Sequence, residues 1–449
     1  SYSPDMRSEM KTRPYQQSIC TNPMKIGLLL CFFLTFFLAD TNSAAAQENE
    51  SLEDLVQIAL EQNSEILAAR SRLSEATEKI RQAGAIPDPR LGAEYFLQPV
   101  ETRTGPQEAS ISLSQSIPWP ARLSLDKQLK KHDADIAGTF LTGTQLGVIG
   151  RIKEAYIEYG YLGQAHKITG QILELMNYLE GIARTNYSSG KASYKDLLKI
   201  QIEIAKLENR QKSLDDNTMP VRVRINGLLG VDRNMARRQP EALPEIALVP
   251  REEEIFTLAR RHSPKILAGQ HKINRGRTGL DIADQGFYPD FNFSIKTIFT
   301  GDAEFGDPPD SGRNPVIAGF SINLPVFYGR RNSAIAEKQA SIGTARNELE
   351  QTLNSLDTEI ELTLFRYREA ERLLNLYREN LIPKVHQELE VALEAFQGGE
   401  YSILELIDAE KNWLNFELAR IRAQADMAIQ VARLEELAGT TLADWDQNS

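Results

Sequence analysis

The feature that most constrains this chain is that it carries its own pattern twice. Ile58-Ala59 through Glu65-Ile66-Leu67-Ala68 matches Leu258-Ala259 through Lys265-Ile266-Leu267-Ala268 at an offset of 200 residues. Pro87-Asp88 matches Pro289-Asp290 at 202, Ile117-Pro118 matches Leu324-Pro325 at 207, and Tyr187, Gly190 and Leu197 match Phe396, Gly399 and Leu406 at 209. Anchors that recur in the same order make each half, 47–250 and 251–449, a structural unit of its own. The fold must therefore be read from one repeat and then doubled.

Proline divides each repeat into two kinds of structure. Eleven of the 20 prolines fall in 87–120 and 289–325, whereas 121–219 has none and 326–449 has only Pro383. Because proline is excluded from helix interiors and tolerated at turns and strand ends, the rich windows read as β and the poor flanks as helix. In the second flank Leu349, Leu353, Leu356, Ile360, Thr363, Tyr367, Ala370, Leu374, Tyr377 and Leu381 step by four and three, as a coiled-coil seam does. Ile168, Ile172, Leu175, Leu179 and Ile182 repeat that spacing in the first half. Helices over 122–185 and 329–396 would be about 96 and 102 Å long. The shorter segments 51–84 and 193–228, or 251–285 and 401–437, stacked end to end, would match one such rod.

Inside the β windows the period changes to two. Ile111, Leu113 and Ile117 alternate with Ser110, Ser112, Ser114 and Ser116. Phe291, Phe293, Ile295 and Phe299 alternate with Asn292, Ser294 and Lys296, and Ala318, Phe320, Ile322 and Leu324 with Gly319, Ser321 and Asn323. Strands are expected at about 88–98, 109–118, 290–300 and 315–325. One apolar and one polar face fits a half-buried soluble sheet as well as a membrane barrel. The connections 99–108 and 300–314, long and polar, favour the barrel. Four strands cannot close, and lipid tolerates no open edge, so several copies must pool their strands.

Composition narrows the function classes. With 51 basic and 62 acidic side chains the chain has a net charge of −11, which argues against a nucleic-acid partner. Residues 1–46 read as a secretory signal with upstream residues: Lys25, the uncharged run Ile26–Ala39, then Ala44-Ala45-Ala46. Both cysteines, Cys20 and Cys31, lie in that segment, so cysteine chemistry is not expected of the remainder.

The repeat order, together with AIPDPRLG (Ala85–Gly92), LSQSIPWPAR (Leu113–Arg122), YSSGKASYKDLL (Tyr187–Leu198) and FQGGEYSILELIDAEKNWL (Phe396–Leu414), resembles the TolC-like outer membrane efflux proteins. The resemblance covers about 51–438, and SIPWPAR is similar to the branch serving heavy-metal RND exporters. It implies a mainly α protein with a membrane β-barrel: a homotrimer whose twelve-stranded outer membrane barrel continues as an α-helical barrel across the periplasm. It implies partners too, namely outer membrane lipid, a periplasmic adaptor and an inner-membrane RND transporter that passes solutes or metal ions into the duct. The tip residues carried over are Gly190, Lys191, Ser193, Gly399, Glu400 and Ser402 for adaptor docking, with Asp196, Glu405 and Asp408 as gate candidates. Lys191 and Glu400 stand where the family often has an apolar residue. The alternative for Glu405 and Asp408 is an ordinary charged first turn of a helix.

No catalytic constellation is present, and no cofactor is expected. The five histidines, His132, His166, His262, His271 and His386, are far apart in sequence and follow no metal-ligating spacing, and most of them read as helix-surface residues. The rival reading is a soluble periplasmic coiled-coil adaptor or structural protein.

Overall fold

The computed structural model describes residues 51–443 apart from 191–192, 307 and 399–402. The expected signal segment, and Lys191, Gly399, Glu400 and Ser402 of the tip, lie outside the described residues. Each repeat runs helix pair, hairpin strands, long helix, returning helix. The first comprises α1 (Leu52–Gln62), α2 (Ser64–Ala83), β1 (Arg90–Thr102), β2 (Gly105–Ile117), α3 (Pro120–Ser188) and α4 (Tyr194–Leu229). The second comprises α5 (Glu252–His262), α6 (Pro264–Asp284), β3 (Phe291–Thr300), β4 (Val316–Ile322), α7 (Tyr328–Asn375), α8 (Ile382–Gly398) and α9 (Ile403–Ala438). With 69 residues, α3 is about 104 Å long. Its rival in the second repeat is α7 joined to α8 through a wider π turn, Leu376–Leu381. That turn precedes Pro383, which has no N–H to give the preceding turn and would clash with its carbonyl in a regular helix.

The expected helices 51–84 and 251–285 are each two helices. Asn63 leaves the helix at ψ 124° and its side chain accepts from the Glu65 and Ile66 amides at 2.9 and 3.2 Å, which restarts it as α2. Ser263 adopts the same conformation because the Pro264 ring disfavours α geometry in the residue before it. Both breaks sit against the end of a returning helix. Gly230 after α4 and Gly439 after α9 have φ of +73°, and a Cβ on Gly230 would lie 2.7 Å from the Gln62 carbonyl oxygen. One on Gly439 would come closer still to the His262 carbonyl. Asn63 Nδ2 also donates to the Leu228 carbonyl at 2.8 Å. The duplication is thus visible as one joint built twice, which brings the end of α4 to the start of α2 and the end of α9 to the start of α6.

The seam packs as its spacing predicts. Leu356, Ile360, Thr363, Tyr367, Ala370 and Leu374 are buried, while Leu349 and Leu353 are half-buried against the joint at Ile255, Ala259 and Ile266. In the first repeat Ile152, Ile225 and Leu229 pack with Leu52, Leu55 and Ile66. Towards the turn between α3 and α4, Ile172, Met176 and Leu179 of α3 share a core with Leu197 and Ile200 of α4 and with Ile403 and Leu406 of α9. A buried ion pair, Lys153 to Glu435 at 2.6 Å, ties α3 to α9. On α7, Leu362 and Phe365 remain exposed, Phe365 by 55%.

The four strands form one antiparallel sheet in the order β1-β2-β3-β4. Its register places Leu91, Leu113, Ile295 and Ala318 in one row, and Ala93, Ile111, Thr297 and Val316 in the next, on the same face. The opposite face carries Gly92, Ser112, Lys296 and Ile317 in one row and Arg90, Ser114, Ser294 and Gly319 in another. The segment 99–108, expected as a long connection, is instead strand and tight turn. β1 continues past an irregularity between Tyr95 and Val100 to Thr102, whose hydroxyl donates to the Gly105 carbonyl at 2.7 Å, and β2 starts there. The connection from 301 to 315 is long and folds back on this turn, with Gly301 N donating to Pro106 O and Gly312 N to Thr104 O, both at 2.8 Å. Sheet and helices are joined where Trp119 N, ahead of α3, donates to Asp290 Oδ1 at 3.0 Å and the Trp119 ring stacks on Tyr288 at 5.0 Å.

The joints predict a sharp contrast. Alanine at Gly230 or Gly439 combines left-handed strain of about 1–2 kcal/mol with a clash against a carbonyl. Alanine at Gly227, inside α4 with open space around it, should be neutral or stabilising. Thermal unfolding of the purified chain measures this, and a Gly230→Ala variant as stable as Gly227→Ala would show the joint to be dispensable.

Candidate functional site

At one end of the helical body α3 turns back into α4. Serine caps the arrival: Ser189 closes α3, Gly190 takes φ +73°, and the Tyr187 and Tyr194 rings meet across the turn at 5.7 Å. Departure is fixed by a capping box, in which Asp196 N donates to Ser193 Oγ at 3.3 Å and Ser193 N to Asp196 Oδ2 at 3.4 Å, with Ser193 Oγ also 2.7 Å from Asp196 Oδ2. Two of the residues singled out from sequence, Ser193 and Asp196, are therefore brought together. The Asp196 carboxylate is engaged in starting α4 rather than standing out from it.

Glu405 and Asp408 lie in the first turns of α9 and are exposed, three residues apart, on the side away from buried Ile403, Leu406 and Ile407. Ion pairs near this end run along and between the helices. Arg184 meets Glu180 at 2.6 Å, and Glu203 of α4 is held by Lys206 and by Lys411 of α9, both at 3.2 Å.

One acid that sequence reasoning did not select is buried here. Glu410 is 2% exposed, and neither of its carboxylate oxygens has a hydrogen-bond partner. Burial, and secondly the charge of Glu203, push it up to about 8, so it is protonated at neutral pH. One turn further on, Trp413 packs on His386 of α8 at 5.2 Å, with its Nε1 buried and unpartnered. The signal that could have found Glu410 is positional. Ile403, Ile407, Glu410 and Leu414 step by four, three and four, which puts the acid in the apolar seam.

At the other end the sheet presents its apolar face uncovered. Leu91 is 76% and Ile295 59% exposed, and Phe293 and Phe320 pack on each other at 5.2 Å without cover. The polar face is internally paired: Lys296 Nζ and Ser110 Oγ both donate to Glu94 Oε2, at 2.6 and 2.9 Å. β1 and β4 are the outer strands, each with one unpaired edge. Among the described residues no helix is long and apolar enough to cross a membrane.

A family model described as outer membrane efflux protein matches residues 55–231 and 256–440, one match per repeat. The cobalt-zinc-cadmium resistance protein CzcC of Cupriavidus metallidurans is 22% identical over 378 residues, covering 83% of this chain and 85% of that one. The outer membrane protein VceC of Vibrio cholerae superposes with a TM-score of 0.70 at 19% identity, over 87% of this chain and 96% of that one. The outer membrane channel MtrE of Neisseria gonorrhoeae, solved in an open state, superposes with a TM-score of 0.69 at 16% identity, over 87% and 89% of the two chains.

Glu410 generates a pH prediction. In the unfolded chain it ionises near 4.5, and in the folded chain only near 8, so the folded state holds the extra proton between those values. The stability this group contributes is complete below pH 4.5 and is lost as pH rises to about 8. Glu410→Gln should flatten the fall in melting temperature between pH 5 and 8 and be about 1–3 kcal/mol more stable than the parent at pH 8. An unchanged slope would mean that Glu410 ionises like an exposed acid.

Proposed function

Because the chain belongs to the outer membrane efflux protein family, we propose that three copies pool their sheets into one twelve-stranded barrel and their helices into a tunnel below it. The protein is an outer membrane channel whose helical part extends into the periplasm. The observation that supports the trimeric reading is the sheet, with an apolar face exposed across all four strands and an unpaired edge at either side. Lipid covers such a face, and closure between copies satisfies such edges. The same uncovered face speaks against a soluble adaptor. Exposed Leu362 and Phe365 on α7 fit a second contact between neighbouring copies below the membrane.

In this reading solutes enter at the helical turns, supplied by an inner-membrane transporter of the RND kind through a periplasmic adaptor. Gly190, Lys191, Ser193, Gly399, Glu400 and Ser402 form the docking end. Glu405 and Asp408 repeat around the axis as an acidic ring, and Asp196, held in its cap, adds charge at the same end. The relation to CzcC makes divalent metal ions the first cargo to test. Passage is passive and needs no catalytic residue.

Two experiments bear on the two ends. Arginine at Phe293, Ile295, Phe320 or Ile322 near mid-membrane should cost on the order of 2–4 kcal/mol, and arginine at Ser294 or Ser321 little. The yield of assembled oligomer in the outer membrane reports this, and equal tolerance on both faces would remove the barrel. At the tip, Glu405→Ala with Asp408→Ala should leave assembly intact while weakening block by divalent cations from the periplasmic side and lowering cation selectivity in planar bilayers. Unchanged block and selectivity would leave these acids as an ordinary solvated helix face.

A further inference from the structure

Two of the five histidines, 139 residues apart in sequence, come together in the fold. His132 and Asp135 lie three residues apart on α3, hence on one face, and His271 reaches them from α6. Asp135 Oδ2 is 3.7 Å from His132 Nδ1 and 3.7 Å from His271 Nδ1, and the three donor atoms all lie within 4.8 Å of one another. Separations of 3.7 Å are too long for hydrogen bonds. They are close to the spacing of about 3.3 Å between neighbouring ligand atoms around a tetrahedral ion with bonds of 2.0–2.1 Å. His132 Nδ1 is moreover buried without a hydrogen-bond partner, although it sits beside a carboxylate.

From this geometry we infer that His132, Asp135 and His271 form a binding site for one borderline divalent transition ion, of the zinc or cobalt class, that fastens α3 of the first repeat to α6 of the second. Two imidazoles and one carboxylate suit such ions and are poor ligands for magnesium or calcium, which take oxygen. A cavity of about 440 Å³ opens beside the trio, lined by Asp135, His271, Gly138, Thr139 and Thr77, and provides room for water as a fourth ligand. Two nearby cations are paired with another acid. Asp133 holds Lys130 at 3.0 Å and Arg275 at 2.5 Å, so neither cation stands unopposed next to the site. The ion would cross-link segments distant in the chain. Binding only to the folded arrangement, it stabilises that arrangement by mass action. The inference rests on these side chains alone and is independent of what the duct carries.

The test uses the full, untagged chain in detergent with zinc alone, cobalt alone and magnesium alone. With the acidic tip removed by Glu405→Ala and Asp408→Ala, zinc should bind saturably at one ion per chain and raise the melting temperature, magnesium should do neither, and cobalt should develop the strong visible absorption of a tetrahedral complex. His132→Ala and His271→Gln should each weaken zinc binding more than tenfold and remove the zinc-dependent rise, whereas His262→Gln, on an exposed histidine outside the trio, should change neither. His271→Cys guards against misfolding, since it should keep cobalt and add a thiolate-to-cobalt charge-transfer band. The site is overturned if zinc does not saturate, if parent and His271→Gln bind alike, or if the cysteine variant folds and shows no such band. It is equally overturned if His271→Gln lowers stability by the same amount with and without zinc, because the trio would then be only an ion pair between imidazolium and carboxylate.

Discussion

A helix of 69 residues does not persist in water on its own backbone hydrogen bonds, since most helical stability in proteins comes from burying an apolar stripe. Everything else in the body follows from the need to cover α3 over that length. No single returning helix is long enough, so α2 covers it towards the sheet and α4 towards the tip. The second repeat solves the same problem with α6 and α9 along α7 and α8. Two short helices can serve as one long one only if their ends meet without a gap. The Asn63–Gly230 and Ser263–Gly439 joints provide this, with glycine allowing the backbones to approach where any side chain would hold them apart.

What was legible in the sequence is what depends on periodicity. Leu356, Ile360, Tyr367 and Leu374 announce their seam by spacing, Ser112, Ser114, Ile111 and Leu113 announce their faces, and the proline windows separate the two regimes. What escaped depends on single residues or on the folded chain. Asn63 and Ser263 break their helices without interrupting the apolar pattern around them, so the pattern alone runs straight through. The turn between Thr102 and Gly105 was hidden in a polar stretch that looks like loop, because strands beyond the apolar belt lose their alternation. Glu410 is readable in hindsight as an acid at a seam position. The approach of His132 to His271 is not, for it is created by packing α3 against α6, and no spacing along either helix encodes it.

The two ends of the molecule are governed by opposite uses of charge. In the sheet the only ion pair between strands, among the described residues, joins Glu94 to Lys296 on the polar face, and the other face is free of charge through its central rows. At the helical end acids and lysines alternate: Glu180, Glu203, Glu405 and Asp408 with Lys206 and Lys411, beside one acid kept neutral by burial. An apolar surface at one end and a titratable one at the other fit a body with lipid around one end and water around the other.

The π turn at Leu376–Leu381 has a consequence for symmetry. The offset between the repeats grows from 207 to 209 across their long helices, so the second rod holds two more residues than the first between matched anchors. In an α-helix each added residue rotates all that follows by about 100°. A wide turn absorbs such an insertion locally and lets the seam resume beyond it, at Val385 and Ala392. The two rods of one chain therefore keep the same seam below that turn, but only one of them carries the wide turn. In the proposed trimer the helical part would then have six corners of two alternating kinds, threefold rather than sixfold however closely the repeats agree elsewhere.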